Sequence, residues 1–379
     1  MGWLKLKEVG MKDGHIRKLM NIYNRYDELF LEENFRLFNS ELKRNLEKSR
    51  NINLNSKIEL YKRNKVKIID ANSQGYPEKL KELTDYPLFL YVKGKELKKG
   101  LNDERRNIAV VGTRKVTKFG KSACEKIVRE LLEYEVTLIS GLAEGIDTVA
   151  LSASVEKDGS AIAVVGSGLD IVYPYENKIL WEKISENGIL ISEHPLGTKP
   201  LKWNFPKRNR IIAALSDGIL IAESFKSGGA LITAELGFMM DKEIFAIPGF
   251  INYPSFEGCN NLIKENKAKL VTTGEDIARE FLWDLKNRKN KTDKLTYEEK
   301  IVFLQLSEEY GLEEIMKKIK NFNMNNDNNK NRDTLFENEF RPEENSIDIP
   351  VNKLLSILMS LKVKGLITET GTARYMRIV

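Results

Sequence analysis

The stretch NIAVVGTRKVTKFGKSACEKIVRELLEYEVTLISG, residues 107–141, decides the fold class of this chain. It begins with a short apolar run typical of a buried strand and continues with an amphipathic stretch typical of a helix. A second apolar run, VTLISG, follows. Strand, helix and strand in succession form the unit of a parallel sheet covered by helices. We therefore predict an α/β fold around this stretch.

The same alternation continues to about residue 290. Helical patterns separate the short apolar runs, and each run predicts a buried strand: NIAVVG, VTLISG, SAIAVVG, GILISE, GILIAES and EIFAIPG. This repetition predicts a parallel sheet with helices on both faces, a class that binds ligands beyond the carboxyl ends of its strands. The segments at those ends are GTRK, SGLAEGID, GSGLD, SEHPLG, ESFKSGG and PGF.

Two further segments flank this domain, which we place at residues 66–290. Residues 1–65 are rich in Lys, Glu and Asn and carry apolar residues at helical spacing, which predicts a small helical domain. Residues 291–379 combine helical patterns with a β-hairpin centred on Gly371, an order that predicts a winged helix-turn-helix. An Asn-rich linker at about 320–345 interrupts this segment, and its composition predicts disorder.

The charge balance of the chain is nearly even. Its 379 residues include 61 basic and 55 acidic side chains, a net charge of +6. The excess lies in residues 1–70, which hold 16 basic and 10 acidic side chains. An interaction with a polyanion must therefore depend on local cationic clusters.

Cysteine and histidine are too scarce for several classes of site. Cys124 and Cys259 cannot form a disulfide framework, and with only His15 and His194 available they do not predict a zinc site. The N-terminus lacks a signal-peptide pattern, and no run of about 18 apolar residues occurs. We expect a soluble cytoplasmic protein that uses no metal or other cofactor.

Two nucleotide-binding motifs are incomplete. The GKS of residues 120–122 lacks the glycine that a P-loop requires five residues earlier, because Lys115 stands there. In VVGSGLDI, residues 164–171, Ile171 replaces the third glycine of a dinucleotide fingerprint. We therefore expect no nicotinamide or flavin site.

The strongest local feature is KWNFPKRNR, residues 202–210. It lies within residues 195–216, a stretch that contains no acidic side chain. Pro206 suits the first turn of a helix, because its fixed φ is compatible with the helix and its missing N–H is not needed there. The segment therefore predicts a helix that starts in a cationic cluster.

An anion would stabilise that helix start. Lys207, Arg208 and Arg210 add positive charge to the positive end of the helix dipole, which is unfavourable without a neutralising partner. Trp203 and Phe205 offer ring faces on which nucleobases could stack, and we expect one of the two rings to be buried. Single-stranded nucleic acid supplies both phosphates and unpaired bases.

Three other strand-end segments carry candidate ligand contacts. The turn at Gly112 lets backbone amides point at an anion, and Arg114 stands where a phosphate would bind. Asp147 either caps the following helix or contacts a ligand. In SGGALITAE, residues 227–235, the glycines shape either an anion-facing loop with Ser227 as its polar contact or a structural turn.

Candidate acid–base groups are few. Glu223 and Glu235 could act as an acid–base pair, but no pattern in the sequence shows that they meet. His194 follows a predicted strand, where a catalytic base can lie, yet no Gly-x-Ser-x-Gly elbow supplies a nucleophile. We favour a hydrogen-bonded loop histidine at that position.

The strand-end segments also form an ordered set of motifs. These are G-T-R at 112–114, S-G-L-A-x-G-I-D at 140–147, Y-P at 173–174, S-E-x-P at 192–195, N-F-P-x-R-N-R-I-I-A at 204–213, S-G-G-A-L-I-T-A at 227–234 and A-I-P-G at 246–249. With them, the chain resembles the DNA processing protein A family, also called DprA or Smf, over about residues 66–280.

This resemblance implies an extended Rossmann-like, doubly wound domain that binds single-stranded DNA without hydrolysing it. It also implies protection of incoming single strands during natural transformation, loading of RecA recombinase onto them, and a homodimer. The N-terminal helices are similar to the SAM-like or helix-hairpin-like domain of many members, and the C-terminal segment to their winged helix. By motif match, the implied DNA-binding residues are Gly112, Thr113, Arg114, Lys202, Phe205, Lys207, Arg208, Asn209, Arg210, Ser227 and Gly228.

We favour a binding protein that is not an enzyme, with DNA held along the strand ends. Its predicted phosphate contacts are Arg114, Lys202, Arg208 and Arg210. An alternative is a nucleotide-processing hydrolase of a related Rossmann-like fold acting on nucleoside monophosphates. The Gly-Gly-x-Gly-Thr-x-x-Glu loop of such enzymes is partly similar to GGALITAE, residues 228–235. In a third hypothesis the C-terminal segment binds duplex DNA.

Overall fold

The computed structural model contains two compact units, Met1–Trp283 and Asp284–Val379. It describes residues 2–94, 106–157, 160–283, 295–306, 308–326, 349–371 and 373–377, except for the side chains of residues 321–326. Each unit has a hydrophobic core of its own.

A nine-stranded sheet forms the centre of the first unit. Its strands are β1 Val66–Asp70, β2 Phe89–Gly94, β3 Asn107–Val111, β4 Thr137–Ser140, β5 Ala161–Val165, β6 Ile189–Ser192, β7 Gly218–Ile221, β8 Glu243–Ala246 and β9 Lys269–Leu270. In space their order is β1-β2-β6-β5-β4-β3-β7-β8-β9. The strands from β6 to β9 in that order are parallel, whereas β2 pairs antiparallel with both β1 and β6.

Twelve described α-helices belong to this unit. Five come before β1 in the chain, and the other seven lie between or after the strands. They are α1 Gly2–Glu8, α2 Asp13–Ile22, α3 Glu32–Leu37, α4 Ser40–Arg50, α5 Leu54–Arg63, α6 Lys118–Leu131, α7 Ile146–Glu156, α8 Lys178–Asn187, α9 Asn204–Leu215, α10 Gly229–Phe238, α11 Glu257–Lys264 and α12 Gly274–Glu280. Every residue of β4, β5, β6 and β7 is buried, as expected for strands covered on both faces. The six predicted strands and the Rossmann-like α/β class are confirmed.

The order in which successive strands are added to the sheet reverses at β3, which lies between β4 and β7 and is parallel to both. From β3 the chain proceeds through β4 and β5 to β6 on one side, and then crosses to β7 and β8 on the other. Such a switch point opens a crevice at the carboxyl ends of the strands, where doubly wound folds bind ligands. The loop of residues 112–117 follows β3 and lies at this point.

The five N-terminal helices pack on the β1–β2 edge of the sheet. Leu4 and Leu6 share a core with Leu190 on β6, and the Tyr61 ring stacks on that of Tyr91 with centroids 5.3 Å apart. Residues 1–65 are thus helical as predicted, and they belong to the same compact unit as the sheet. A separate domain ending at residue 65 stays a prediction.

The second unit has the element order of a winged helix. Its elements are α13 Tyr297–Leu304, β10 Tyr310–Gly311, α14 Leu312–Asn326, α15 Val351–Val363, β11 Ile367–Gly371 and β12 Arg374–Arg377. The strands form a sheet in the order β10-β12-β11, which contains the predicted hairpin. Helix α14 enters the Asn-rich tract, so the prediction of disorder is wrong up to Asn326; residues 327–348 lie outside the described residues.

Candidate nucleic-acid interface

The start of α9 presents positive charge and an aromatic ring to solvent. Trp203 occupies its N-cap position without a side-chain cap hydrogen bond, and the Asn204 N–H donates to the Leu201 carbonyl oxygen at 2.9 Å. Pro206 is the third residue of the helix, where its missing N–H is tolerated. Lys202 is exposed, and Trp203 is 70% exposed. Asn204 fixes this end to the sheet, because its Nδ2 donates to the Gly166 carbonyl oxygen at 2.9 Å.

The side chain of Phe205 on α9 contacts two side chains from strand-end loops, Arg114 after β3 and Tyr173 after β5. The Phe205 and Tyr173 rings are nearly parallel, at 28°, with centroids 5.4 Å apart. The guanidinium carbon of Arg114 lies 5.4 Å from the centroid of the Phe205 ring, within cation–π range. In the sequence, Tyr173 is marked only by its place in the Y-P motif. An aromatic residue in a strand-end segment was the available signal for its role.

The expectation that Trp203 or Phe205 is buried is wrong. Asn204 and Arg208, one helical turn apart, form the buried face of the start of α9. The residues on either side of Asn204 therefore turn outward, and Phe205 is only half-buried. The Trp203 ring is open to a ligand, whereas the Phe205 ring already contacts Tyr173 and Arg114.

Hydrogen bonds hold the loop that carries Arg114. The Thr113 N–H donates to the Glu223 carbonyl oxygen at 2.8 Å, and the Thr113 carbonyl accepts from the Ile146 N–H at 3.2 Å. The buried Glu223 carboxylate accepts from the N–H and the hydroxyl of Thr117, at 3.0 and 3.2 Å. Arg114 itself is exposed. A fixed backbone thus places an accessible guanidinium at the switch point.

Arg208, in contrast, is an internal side chain. Its Nη1 donates to the carbonyl oxygens of Gly141, at 2.6 Å, and of Val164. Asp147, also buried, accepts from the N–H groups of Gly141 and Ala143. Burial lowers the pKa of Arg208 to about 10, although Asp147 opposes that shift. The predicted phosphate contact is therefore corrected: Arg208 holds the ends of β4 and β5 together.

Glycine at position 141 is required by this packing, because a Cβ there would overlap the Arg208 guanidinium. Asp147 is neither a plain helix cap nor an exposed ligand contact, since its carboxylate binds the loop before α7. The exposed side of the same region is a shallow pocket. Its lining residues are Arg114, Gly141, Leu142, Ala143, Glu144, Tyr173, Pro174, Phe205 and Arg208.

Arg210 also turns inward, which corrects a second predicted phosphate contact. Its guanidinium pairs with Glu193 at 2.6 Å and with Asp85 at 3.1 Å. Lys207 shares Glu193 at 3.1 Å but keeps an exposed side chain. Burial raises the pKa of Glu193, but Arg210 and Lys207 outweigh it and hold that pKa below its ordinary value. Arg210 follows Arg208 by two residues on α9 and therefore lies on a different side of the helix. Its side chain points away from the pocket, toward the buried Glu193.

The other predicted binding residues have separate surroundings. A Cβ at Gly112 would overlap Ile146, so glycine permits close packing there. Asn209 is half-buried on α9. Ser227 is exposed and Gly228 occupies the N-cap of α10, in the loop after β7. No hydrogen bond or ion pair in the described part of the chain links Ser227 or Gly228 to Arg114.

The candidate acid–base groups do not form a pair. Glu223 is buried and bonded to Thr117, whereas Glu235 is exposed on α10. His194 bonds through its backbone N–H to the Ser192 hydroxyl, and its buried Nε2 has no partner among the described residues. Burial lowers the pKa of this imidazole to about 4. Within the described ranges, no cluster of His, Cys, Asp and Glu could hold a metal, and no helix could cross a membrane.

Comparison with known proteins places this interface in a family. The sequence profile described as DNA recombination-mediator protein A matches residues 67–282. The DNA processing protein DprA of Streptococcus pneumoniae is 44% identical over 207 residues, which are 54% of this chain and 71% of that protein. DprA of Bacillus subtilis is 38% identical over 221 residues, 58% of this chain and 73% of that protein.

Solved structures agree with the sequence comparison. The X-ray structure of S. pneumoniae DprA aligns with a TM-score of 0.64 at 34% identity, covering 75% of this chain and 99% of that one. A Helicobacter pylori DprA structure, described by its single-stranded DNA binding mode, aligns with a TM-score of 0.52 at 28% identity, covering 57% and 95%. The profile match includes α9 and the loops that carry the Arg114–Phe205–Tyr173 stack. The chain therefore belongs to the DNA recombination-mediator protein A family.

Proposed function

We propose that this chain binds single-stranded DNA along the carboxyl ends of its parallel strands. The observation that carries the proposal is the accessible stack of Arg114, Phe205 and Tyr173 beside the uncapped start of α9. The H. pylori relative, described by its single-stranded DNA binding mode, supports the same ligand. Flat rings beside fixed cations suit a polymer that offers unpaired bases and phosphates.

Phosphates bind the exposed cations in this proposal. Arg114 and Lys202 have accessible side chains and no ion-pair partner within the described ranges, so a phosphate displaces only water. Lys207 contributes less, because Glu193 already neutralises part of its charge. Helix α9 adds the positive end of its dipole. Affinity should fall with salt, with a slope of about −0.7 for each phosphate bound.

Bases stack on the rings. Phe205 and Tyr173 are half-buried and exposed, respectively, and Trp203 stands free at the start of α9. Stacking contributes about 1–3 kcal/mol per base and tolerates any sequence, because every base has a π face. Binding should therefore prefer unpaired strands over duplex and should vary little among sequences.

We further propose the cellular role that the family relationship suggests. The chain would protect incoming single strands in natural transformation and load RecA recombinase onto them as a homodimer, without turnover of the DNA. RecA filament formation on a labelled single strand, measured with and without the protein, tests the loading step. Sedimentation equilibrium tests the dimer. A monomer that leaves RecA assembly unchanged would contradict this part of the proposal and not the DNA binding.

A competition experiment tests the binding itself. A labelled single strand bound by the full chain is displaced by unlabelled single-stranded or duplex DNA at two salt concentrations. We expect the single strand to compete at least about tenfold better than a duplex of equal length, because duplex bases are not free to stack. Equal competition by the two forms would reject the proposed ligand.

A further inference from the structure

A second group of aromatic rings is exposed in segments that follow the carboxyl ends of the parallel strands, as the first site does. Phe119, Phe250 and Tyr253, here called the distal aromatic cluster, are 44%, 60% and 53% exposed. The Phe119 and Phe250 centroids are 5.6 Å apart, and those of Phe250 and Tyr253 are 5.5 Å apart. Phe256, which is buried, supports Phe119 from below at 5.4 Å. Three contiguous rings remain in contact with water.

The distal aromatic cluster is continuous with the first site through one loop. Arg114 and Phe119 stand on either side of Thr117, which caps α6 and bonds to the buried Glu223. Phe250 and Tyr253 follow β8, on the far side of the switch point from Phe205. At about 4.8 Å per strand, the edge from β6 to β8 spans about 24 Å. One extended polymer can therefore reach both groups of rings.

The charge beside these rings is positive. Lys115, Lys118 and Lys121 are exposed along the loop and the first turns of α6, and none forms an ion pair in the described part of the chain. Glu257, an acid that follows the cluster, is already paired with Lys226 at 3.5 Å. Exposed rings with unpaired lysines match a ligand that combines flat bases with phosphates. An apolar protein surface would contact the rings but would not neutralise the lysine charges.

We propose that the distal aromatic cluster is a second stacking site for the same single strand. The strand binds at Phe205 and Tyr173, passes Arg114 and Lys115, and places its next bases on Phe250 and Tyr253. This inference rests on the proposed function, because the first site defines the path of the strand. It predicts that affinity increases with the length of the strand until both sites are occupied.

The test uses the full chain and two oligothymidylates, one of about 4 nucleotides and one of about 16, the limits of known single-strand site sizes. In the double variant Phe250→Ala/Tyr253→Ala, affinity for the long strand falls at least about fivefold, while affinity for the short strand is unchanged. Phe238→Ala is the matched control, because Phe238 is exposed at the far end of α10, away from the strand ends. It leaves both affinities unchanged.

Three outcomes overturn the inference. An unchanged affinity for the long strand in the double variant shows that the cluster does not bind DNA, and loss of RecA binding in that same variant then identifies a protein-docking surface. An equal loss for both lengths shows that the cluster supports the first site and does not extend it. The Arg114→Ala variant distinguishes failure of the distal site from failure of the proposed function. If this variant binds both lengths with wild-type affinity, the assignment of the first site is wrong.

Discussion

Arg114 and Arg208 line the same pocket, yet their surroundings differ. The Arg114 side chain is exposed and lies over the Phe205 ring, whereas Arg208 is 4% exposed and donates to backbone carbonyl oxygens. A hydrated cation can exchange water for a phosphate, but a buried one has already lost its water and needs a partner within the protein. The difference shows that cationic residues near one site are of two kinds. Exposed ones can bind a ligand, whereas buried ones stabilise the fold, and the sequence alone does not distinguish them.

The largest expected effect concerns the buried arginine. Arg208→Ala removes the buried donor of the Gly141 and Val164 carbonyl groups, so the free energy of unfolding should fall by about 3 kcal/mol. Urea denaturation followed by circular dichroism measures this loss. Arg114→Ala is the matched control and should change stability by less than about 0.5 kcal/mol. If Arg208→Ala unfolds at the wild-type urea concentration, the contrast between the two arginines fails.

The next effect is the pH dependence of the buried region behind α9. The folded chain holds the pKa of His194 at about 4, below the ordinary value of 6.5. Between these values the unfolded chain binds more protons, so stability is complete above pH 6.5 and falls as the pH decreases toward 4. This loss reaches up to about 3 kcal/mol.

His194→Gln should remove most of that dependence between pH 6.5 and 4, measured as urea midpoints across the range. His15→Gln, at an exposed histidine, should retain it. The lowered pKa of Glu193 adds stability that disappears only at lower pH, as that carboxylate becomes protonated. A wild-type slope in the His194 variant would assign the pH dependence to other groups.

The exposed arginine should act on DNA binding. Arg114→Ala removes one charged hydrogen bond to phosphate, about 1.5 kcal/mol, so affinity for a single strand falls about tenfold. The salt slope should also decrease by about 0.7. Arg210→Ala, which removes a guanidinium paired with Glu193 and Asp85, should leave that slope unchanged in the folded protein. A flatter slope for Arg210→Ala alone would show that the two arginines exchange roles when DNA binds.

The smallest expected effect distinguishes the contribution of the Tyr173 ring to DNA affinity from that of its hydroxyl group. Tyr173→Ala should weaken binding of homopolymers by about 1 kcal/mol, because a stacking surface is lost, whereas Tyr173→Phe should retain it. Fluorescence anisotropy with single strands of different sequence provides the measurement. An effect restricted to one base would indicate hydrogen-bond recognition by the hydroxyl and would refute stacking.

The fold was largely accessible from sequence because buried parallel strands are short apolar runs wherever they occur. NIAVVG and GILIAES predict strands without any knowledge of their neighbours. Their order was not accessible, since the place of β3 between β4 and β7 and the antiparallel pairing of β2 with β6 depend on residues distant in the chain. The same is true of the packing of residues 1–63 on the sheet.

By itself, the sequence determined the strands, the cationic start of α9, the position of Arg114 after β3 and the family, because each follows from local composition or from an ordered set of motifs. Only the tertiary structure decided that Arg208 and Arg210 point inward and that Tyr173 stacks on Phe205. The physical reason is that a side chain's charge and shape are local properties. Its access to solvent and its partners are set by whichever distant segments pack against it.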